Sequence, residues 1–155
     1  MTRLVAIFLL LSLTACQSTP GIDALQESDR LLSLKRQAAE AYADERYAEA
    51  LPLYQELNIE IPGDAQLWLR TGNTHARLNQ PQDAIRCYRE ALKNDPRLAK
   101  AWHNMGIIQL RQAANTFTRM VQHIGPDDPL YPRAIGMSEA TLEVLKGRRD
   151  DNDVD

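Results

Sequence analysis

The sequence has few of the residues that build metal sites or disulfide frameworks. It contains only two cysteines and three histidines, and no group of them has the spacing of metal ligands, which argues against a structural zinc site. The net charge of -3, from 18 Lys+Arg and 21 Asp+Glu, comes without a strongly basic block. A surface that neutralises phosphates is therefore missing, and nucleic acid is not an expected partner.

Motifs of catalysis are missing as well. The sequence has no nucleophile elbow, phosphate loop, zinc-protease helix or paired-carboxylate motif. We expect no enzymatic activity, no metal, no small-molecule substrate and no cofactor other than a covalent lipid. His75, His103 and His123 are expected to be packing or surface residues. A length of 155 residues with 44% hydrophobic residues fits one ordinary globular domain.

The long apolar run lies at the N-terminus. Arg3 precedes a run from Leu4 to Leu13 that only Ser12 interrupts, a pattern typical of an export signal. The 13 residues from Leu4 to Cys16 are fewer than the roughly 20 that cross a bilayer as a helix. We therefore predict a signal peptide over residues 1–15 that is removed.

The junction after this run reads Leu13-Thr14-Ala15-Cys16, which resembles the lipobox of bacterial lipoproteins. The resemblance implies that the sulfur of Cys16 receives a lipid and that cleavage precedes it. By similarity to the sorting rule of that family, Gln17 in place of Asp after the cysteine implies sorting to the outer membrane with the protein facing the periplasm. An ordinary signal peptide that happens to end near a cysteine is the alternative. A lipidated tether over residues 16–27 would then lead to a fold beginning near residue 28.

Residue identities recur along the middle of the chain at an offset of 34. The pairs are Ala50 and Ala84, Tyr54 and Tyr88, Pro62 and Pro96, Trp68 and Trp102, and Gly72 and Gly106. A fixed period of this length is typical of stacked helical repeats. Small residues such as Gly72 suit a close helix crossing, and prolines such as Pro96 end one helix and start the next.

The unit over residues 65–98 resembles a tetratricopeptide repeat (TPR) through Trp68, Gly72, Ala84, Tyr88, Ala91 and Pro96. The resemblance implies an all-α solenoid of about three helix-turn-helix repeats within residues 28–147. The predicted repeats are 31–64, 65–98 and 99–131, followed by a capping helix at 132–147 and a disordered acidic tail at 148–155. No Gly or Pro lies between Gln112 and Thr116, so residues 99–124 form either one long helix or a helix pair.

The resemblance also implies a concave surface, lined by the first helix of each unit, that binds extended peptides. The candidate residues are Lys35, Tyr42, Arg70, Asn73, Arg77, Lys100, His103 and Asn104. Lys35 and Lys100 match positions with which relatives clamp a C-terminal carboxylate, whereas Ala39 and Arg70 replace expected asparagines. A complete clamp is therefore not expected. The alternative is that these residues bind no peptide and simply lie on solvent-exposed helix faces.

Taken together, the chain resembles TPR lipoproteins that assist pilus assembly and secretin placement, in the manner of pilotins. The resemblance implies a lipid-anchored scaffold at the periplasmic face of the outer membrane, with another periplasmic or outer-membrane protein as its partner. An adaptor for cell-wall enzymes is one alternative. A periplasmic enzyme or redox accessory protein using Cys87 is another, but the expected inward packing of Cys87 disfavours it.

Overall fold

The computed structural model describes residues 20–147, with side chains described for residues 24–146. This part of the chain consists of six α-helices and contains no strand. Each helix packs against the next, so the helices form three successive hairpins. They are α1 (Pro20–Ala43), α2 (Tyr47–Glu60), α3 (Ala65–Arg77), α4 (Pro81–Asn94), α5 (Ala99–His123) and α6 (Tyr131–Gly147). The predicted all-α array of helix hairpins is confirmed.

The first two hairpins reverse direction through the same turn. Glu45 and Asn79, which are 34 residues apart, have positive φ angles of 58° and 56°. In each turn the next residue donates its N–H to the carbonyl five residues earlier, with distances of 2.8 Å from Arg46 to Ala41 and 2.9 Å from Gln80 to His75. A left-handed residue with this bond satisfies the last carbonyls of a helix. The repeat in sequence is thus a repeat in backbone geometry.

The connections between hairpins are held by tryptophan side chains. The indole N–H of Trp68 donates to the carbonyl of Pro62 over 2.8 Å, and that of Trp102 donates to the carbonyl of Pro96 over 3.0 Å. Asp64 caps α3 by accepting from the N–H groups of the two residues that follow Ala65. Each Trp therefore anchors the loop that leads into its own helix.

The core consists of two clusters, and each extends beyond one hairpin. Leu67 of α3 packs with the buried residues of α1 and α2. Ala101, Met105 and Ile108 of α5 pack with the buried residues of α3 and α4. Because the first helix of each unit completes the core of the preceding unit, the hairpins stack as a solenoid does.

The N-terminal boundary differs from the one predicted. α1 begins at Pro20, so it overlaps the tether predicted for residues 16–27 and precedes the expected start near residue 28. Proline is well tolerated at the first position of a helix, and Arg30 binds Glu27 in α1 as well as Glu56 and Glu60 in α2. The predicted signal peptide, Cys16 and the tail at 148–155 lie outside the described residues.

The third unit also departs from the predicted arrangement. α5 is a single helix of 25 residues, and its partner is α6, the helix predicted to form a separate cap. The Thr118 and Ser138 hydroxyls hydrogen-bond across this pair at 3.0 Å. Without Gly or Pro near Gln112, α5 continues until the segment that contains Pro126 and Pro129. No helix in the described part of the chain is long and apolar enough to span a membrane.

Candidate peptide-binding surface

Asn73 connects three helices within the candidate surface. Its Oδ1 accepts a hydrogen bond of 2.8 Å from the Tyr88 hydroxyl and another of 2.8 Å from Nδ2 of Asn104. One amide oxygen thus connects α3 to both α4 and α5. Arg70 and Arg77 lie three residues before and four residues after Asn73, so all three share one face of α3.

The equivalent position in the first unit is built differently. Thirty-four residues earlier, Ala39 stands in place of Asn73 and Arg70 in place of Asn104. The Tyr54 hydroxyl, which corresponds to that of Tyr88, is buried and has no hydrogen-bond partner in the described residues. Burial raises the pKa of Tyr54, and the positive charge and close approach of the Arg70 side chain oppose that shift, although the contact does not have hydrogen-bond geometry. Arg70 therefore stands beside a neutral phenol.

Two candidates from α1 contact neighbouring helices. Nζ of Lys35 lies 3.5 Å from a carboxylate oxygen of Asp64, the residue that caps α3. The ring of Tyr42 lies 5.2 Å from the ring of Tyr47 and 6.4 Å from that of Tyr54, in edge-on contacts. Lys35 thus connects α1 to the start of α3, and Tyr42 packs at the edge of the first core cluster.

The remaining candidates are spread over the surface. The Arg77 guanidinium lies 5.9 Å from the centre of the Tyr47 ring, a cation–π contact with α2. Lys100 and His103 are exposed near the start of α5. The structure therefore brings Asn73 and Asn104 into direct contact, with Arg70 nearby on the same face. The roles of all eight residues in binding stay predictions.

Sequence reasoning missed several residues that shape this surface. Tyr88 was recognised only as part of the repeat pattern, but its hydroxyl also donates a hydrogen bond to Asn73. Asp64 and Tyr47 were not singled out, although they hold Lys35 and Arg77. A comparison of positions 34 residues apart could have revealed the difference between the two tyrosines, because it aligns Tyr54 with Tyr88 and Ala39 with Asn73.

Cys87 has the properties of a packing residue. It is 4% exposed, and burial raises its pKa to about 11. The thiolate that nucleophilic or redox chemistry requires is therefore scarce at neutral pH. His75 bonds to Gln80, and His123 bonds to a backbone carbonyl of its own helix. Residues 24–146 contain no cluster of His, Cys, Asp and Glu that could hold a metal ion.

A comparison with protein families identifies the middle hairpin. The family described as tetratricopeptide repeat matches residues 65–98, which span α3, α4 and the turn before α5. The chain contains a TPR. The flanking hairpins continue the same stacked helical architecture. A search of curated proteins finds no match to the chain. The TPR indicates a protein–protein interaction module.

Proposed function

We propose that the chain is an outer-membrane-anchored TPR lipoprotein that acts as a scaffold for protein binding in the periplasm and assists assembly of a pilus or secretion complex. The TPR supports the binding role. The segment Leu13-Thr14-Ala15-Cys16, followed by Gln17, supports the anchor and its location. Burial of acyl chains contributes about 0.8 kcal/mol per CH2 group, so several chains on Cys16 would hold the protein at a membrane.

The concave surface carries the proposed partner site. Within the described residues Arg70 forms no ion pair, and Nδ2 of Asn73 makes no hydrogen bond. The first can bind a carboxylate, and the second can donate to a backbone carbonyl. Arg77 adds positive charge farther along α3, and Lys100 adds positive charge at the start of α5. This chemistry fits an extended partner segment that bears carboxylates.

The anchor is tested by metabolic labelling with a fatty acid and by membrane fractionation. We expect label on the wild-type chain and on Cys87→Ala, because Cys87 is buried in the fold. Cys16→Ala should lose the label and leave the membrane fraction or be misprocessed. Unlabelled wild type would refute the lipid anchor.

The partner is tested by crosslinking in cells from the position of Arg70, followed by identification of the captured protein. A pilus or secretion component would support the proposed pathway, whereas a cell-wall enzyme would replace it with the adaptor function. The affinity of the captured partner is then measured for wild type and for Arg70→Glu plus Lys100→Glu, at low and moderate salt. We expect the double variant to bind much more weakly, and wild-type binding to weaken as salt screens the charges.

A matched control reverses two charges on α4. Arg86 and Lys93 are exposed there and pair with Asp83 and Glu90 of the same helix. Arg86→Glu plus Lys93→Glu changes the net charge by the same amount but leaves the concave residues intact. Equal affinity of wild type and the concave variant, with helicity preserved, would place the interface elsewhere.

A further inference from the structure

In the described part of the chain, no helix covers α5 around Gly106, although α4 covers the equivalent part of α3. A Cβ placed at Gly72 would lie 2.5 Å from Cε1 of Tyr88, so the ring of α4 covers that glycine. A Cβ at Gly106, the equivalent residue in α5, would meet nothing within 4 Å. Trp102, one turn earlier, is 54% exposed. α6 does not cover this part of α5.

Apolar and small residues continue along the same side of the helix, where Trp102 and Gly106 are exposed and Ala113, Phe117 and Met120 are partly buried. Trp102, Gly106, Ala113, Phe117 and Met120 recur at intervals of three, four or seven residues, which places them along one side of α5. We call this set the open α5 face. Phe117 and Met120 also line an apolar groove of about 200 Å³, which Leu130, Arg133, Ala134 and Met137 complete. The face therefore ends in a groove that can accept apolar side chains.

The charged residues that line the two cavities along α5 have one sign. A cleft of about 620 Å³ between α4 and α5 is lined by Arg89, Arg119 and five uncharged residues. Arg133 is the one charged residue that lines the apolar groove. None of these arginines forms an ion pair with a residue in the described part of the chain. A ligand along α5 would meet apolar and small side chains flanked by positive charge.

We propose that the open α5 face binds an amphipathic helix of a partner protein, which takes the place that α4 has on α3. The contact between α3 and α4 indicates which residues the partner helix would carry on its binding face. Ala84, Tyr88 and Ala91 of α4 are almost completely buried, and Tyr88 covers Gly72. The partner helix would carry an aromatic residue over Gly106, small residues one turn before and after it, and acidic residues toward the arginines.

This site is separate from the concave surface and goes beyond the proposed function. Its probe is a synthetic peptide of residues 80–95 with Cys87→Ser and with Arg86→Glu, Arg89→Glu and Lys93→Glu. The peptide keeps the alanines and tyrosine of α4 and carries the acidic flank. A control peptide also carries Tyr88→Ala. Fluorescence anisotropy of the labelled peptides measures binding to the purified full chain.

We expect saturable binding of the probe and at least about tenfold weaker binding of the control peptide. Gly106→Leu in the full chain should weaken probe binding at least about tenfold, because its side chain occupies the place of the aromatic residue, while its melting temperature does not fall. The exposed pair change Arg119→Glu plus Arg133→Glu should weaken binding by a similar factor. Arg70→Glu plus Lys100→Glu should leave it unchanged, which separates this site from the concave surface.

Three results would overturn the proposal. The first is that the probe shows no saturable binding to wild type. The second is that Gly106→Leu and the arginine pair variant bind the probe as tightly as wild type does. The third is that wild type binds the probe and the control peptide with equal affinity. Sedimentation of the full chain provides a further check. A dimer that Gly106→Leu dissociates would mean that a second copy, rather than a partner protein, covers the open α5 face.

Discussion

Gly72 lies directly against the ring of Tyr88, with room for hydrogen but not for a methyl group. A Cβ at Gly72 would be 2.5 Å from Cε1 and 2.6 Å from Cδ1 of the ring. The glycine therefore sets how closely α3 and α4 approach each other. Gly106 occupies the same repeat position in α5, and a Cβ placed there would meet no atom of the described residues within 4 Å. A glycine at the same repeat position thus allows a close helix contact in α3 but has no such contact in α5.

Gly72→Ala should destabilise the fold, and Gly72→Leu should do so more strongly. Overpacking of a tight contact typically costs about 1–3 kcal/mol, which outweighs the gain of about 1 kcal/mol in helix propensity. Gly106→Ala is the matched control and should stabilise the fold or leave it unchanged, since nothing opposes the added methyl group. Thermal unfolding followed by circular dichroism measures all three. A melting temperature for Gly72→Ala at or above that of wild type would contradict the close contact.

Removal of the two equivalent tyrosine hydroxyls should have different effects. Tyr88→Phe removes the bond to Asn73 and should lower the free energy of unfolding by about 0.5–1.5 kcal/mol. Tyr54→Phe should cost nothing or stabilise the protein, because the Tyr54 hydroxyl is buried without a hydrogen-bond partner among the described residues. Urea unfolding of each variant gives these values. Equal losses would show that Tyr54 has a hydrogen bond in solution.

Glu45 and Asn79 provide a matched test of the turns. Both have positive φ angles, a conformation that asparagine adopts more readily than glutamate. Glu45→Asn should therefore raise the free energy of unfolding by about 0.5–1 kcal/mol, and the reverse exchange Asn79→Glu should lower it. Thermal unfolding of the two variants checks the signs. A loss in Glu45→Asn would indicate that the Glu45 side chain stabilises the turn in another way.

The stability of the protein should depend on Cys87 above neutral pH. Burial raises the pKa of the folded thiol to about 11 from an ordinary value of 9.0. As the pH rises from 9 toward 11, the unfolded chain loses this proton first, so the free energy of unfolding falls. The loss should reach about 1 kcal/mol at pH 10. Urea unfolding between pH 7 and 10.5 should show a larger loss in the free energy of unfolding for wild type than for Cys87→Ala, by the contribution of this thiol. Identical pH profiles would contradict the buried thiol.

The fold was predictable from local and periodic features. The offset of 34 aligns Tyr54 with Tyr88 and Pro62 with Pro96, and these residues act within one turn or one helix crossing. Helical spacing also places Arg70, Asn73 and Arg77 on one face of α3. Such features depend on backbone conformation and side-chain size, which a short segment of sequence already specifies.

By itself, the sequence determined the repeat, the turns and the faces of the first helices, because these follow from local conformational preferences. Only the tertiary structure decided that Asn73 accepts bonds from two other helices and that the Tyr54 hydroxyl has no such partner among residues 24–146. It also decided that α5 continues to His123, with α6 leaving Trp102 exposed. These outcomes depend on which distant helix packs on a given face, and a helix with Trp102 and Gly106 has the same local pattern whether or not that face is covered.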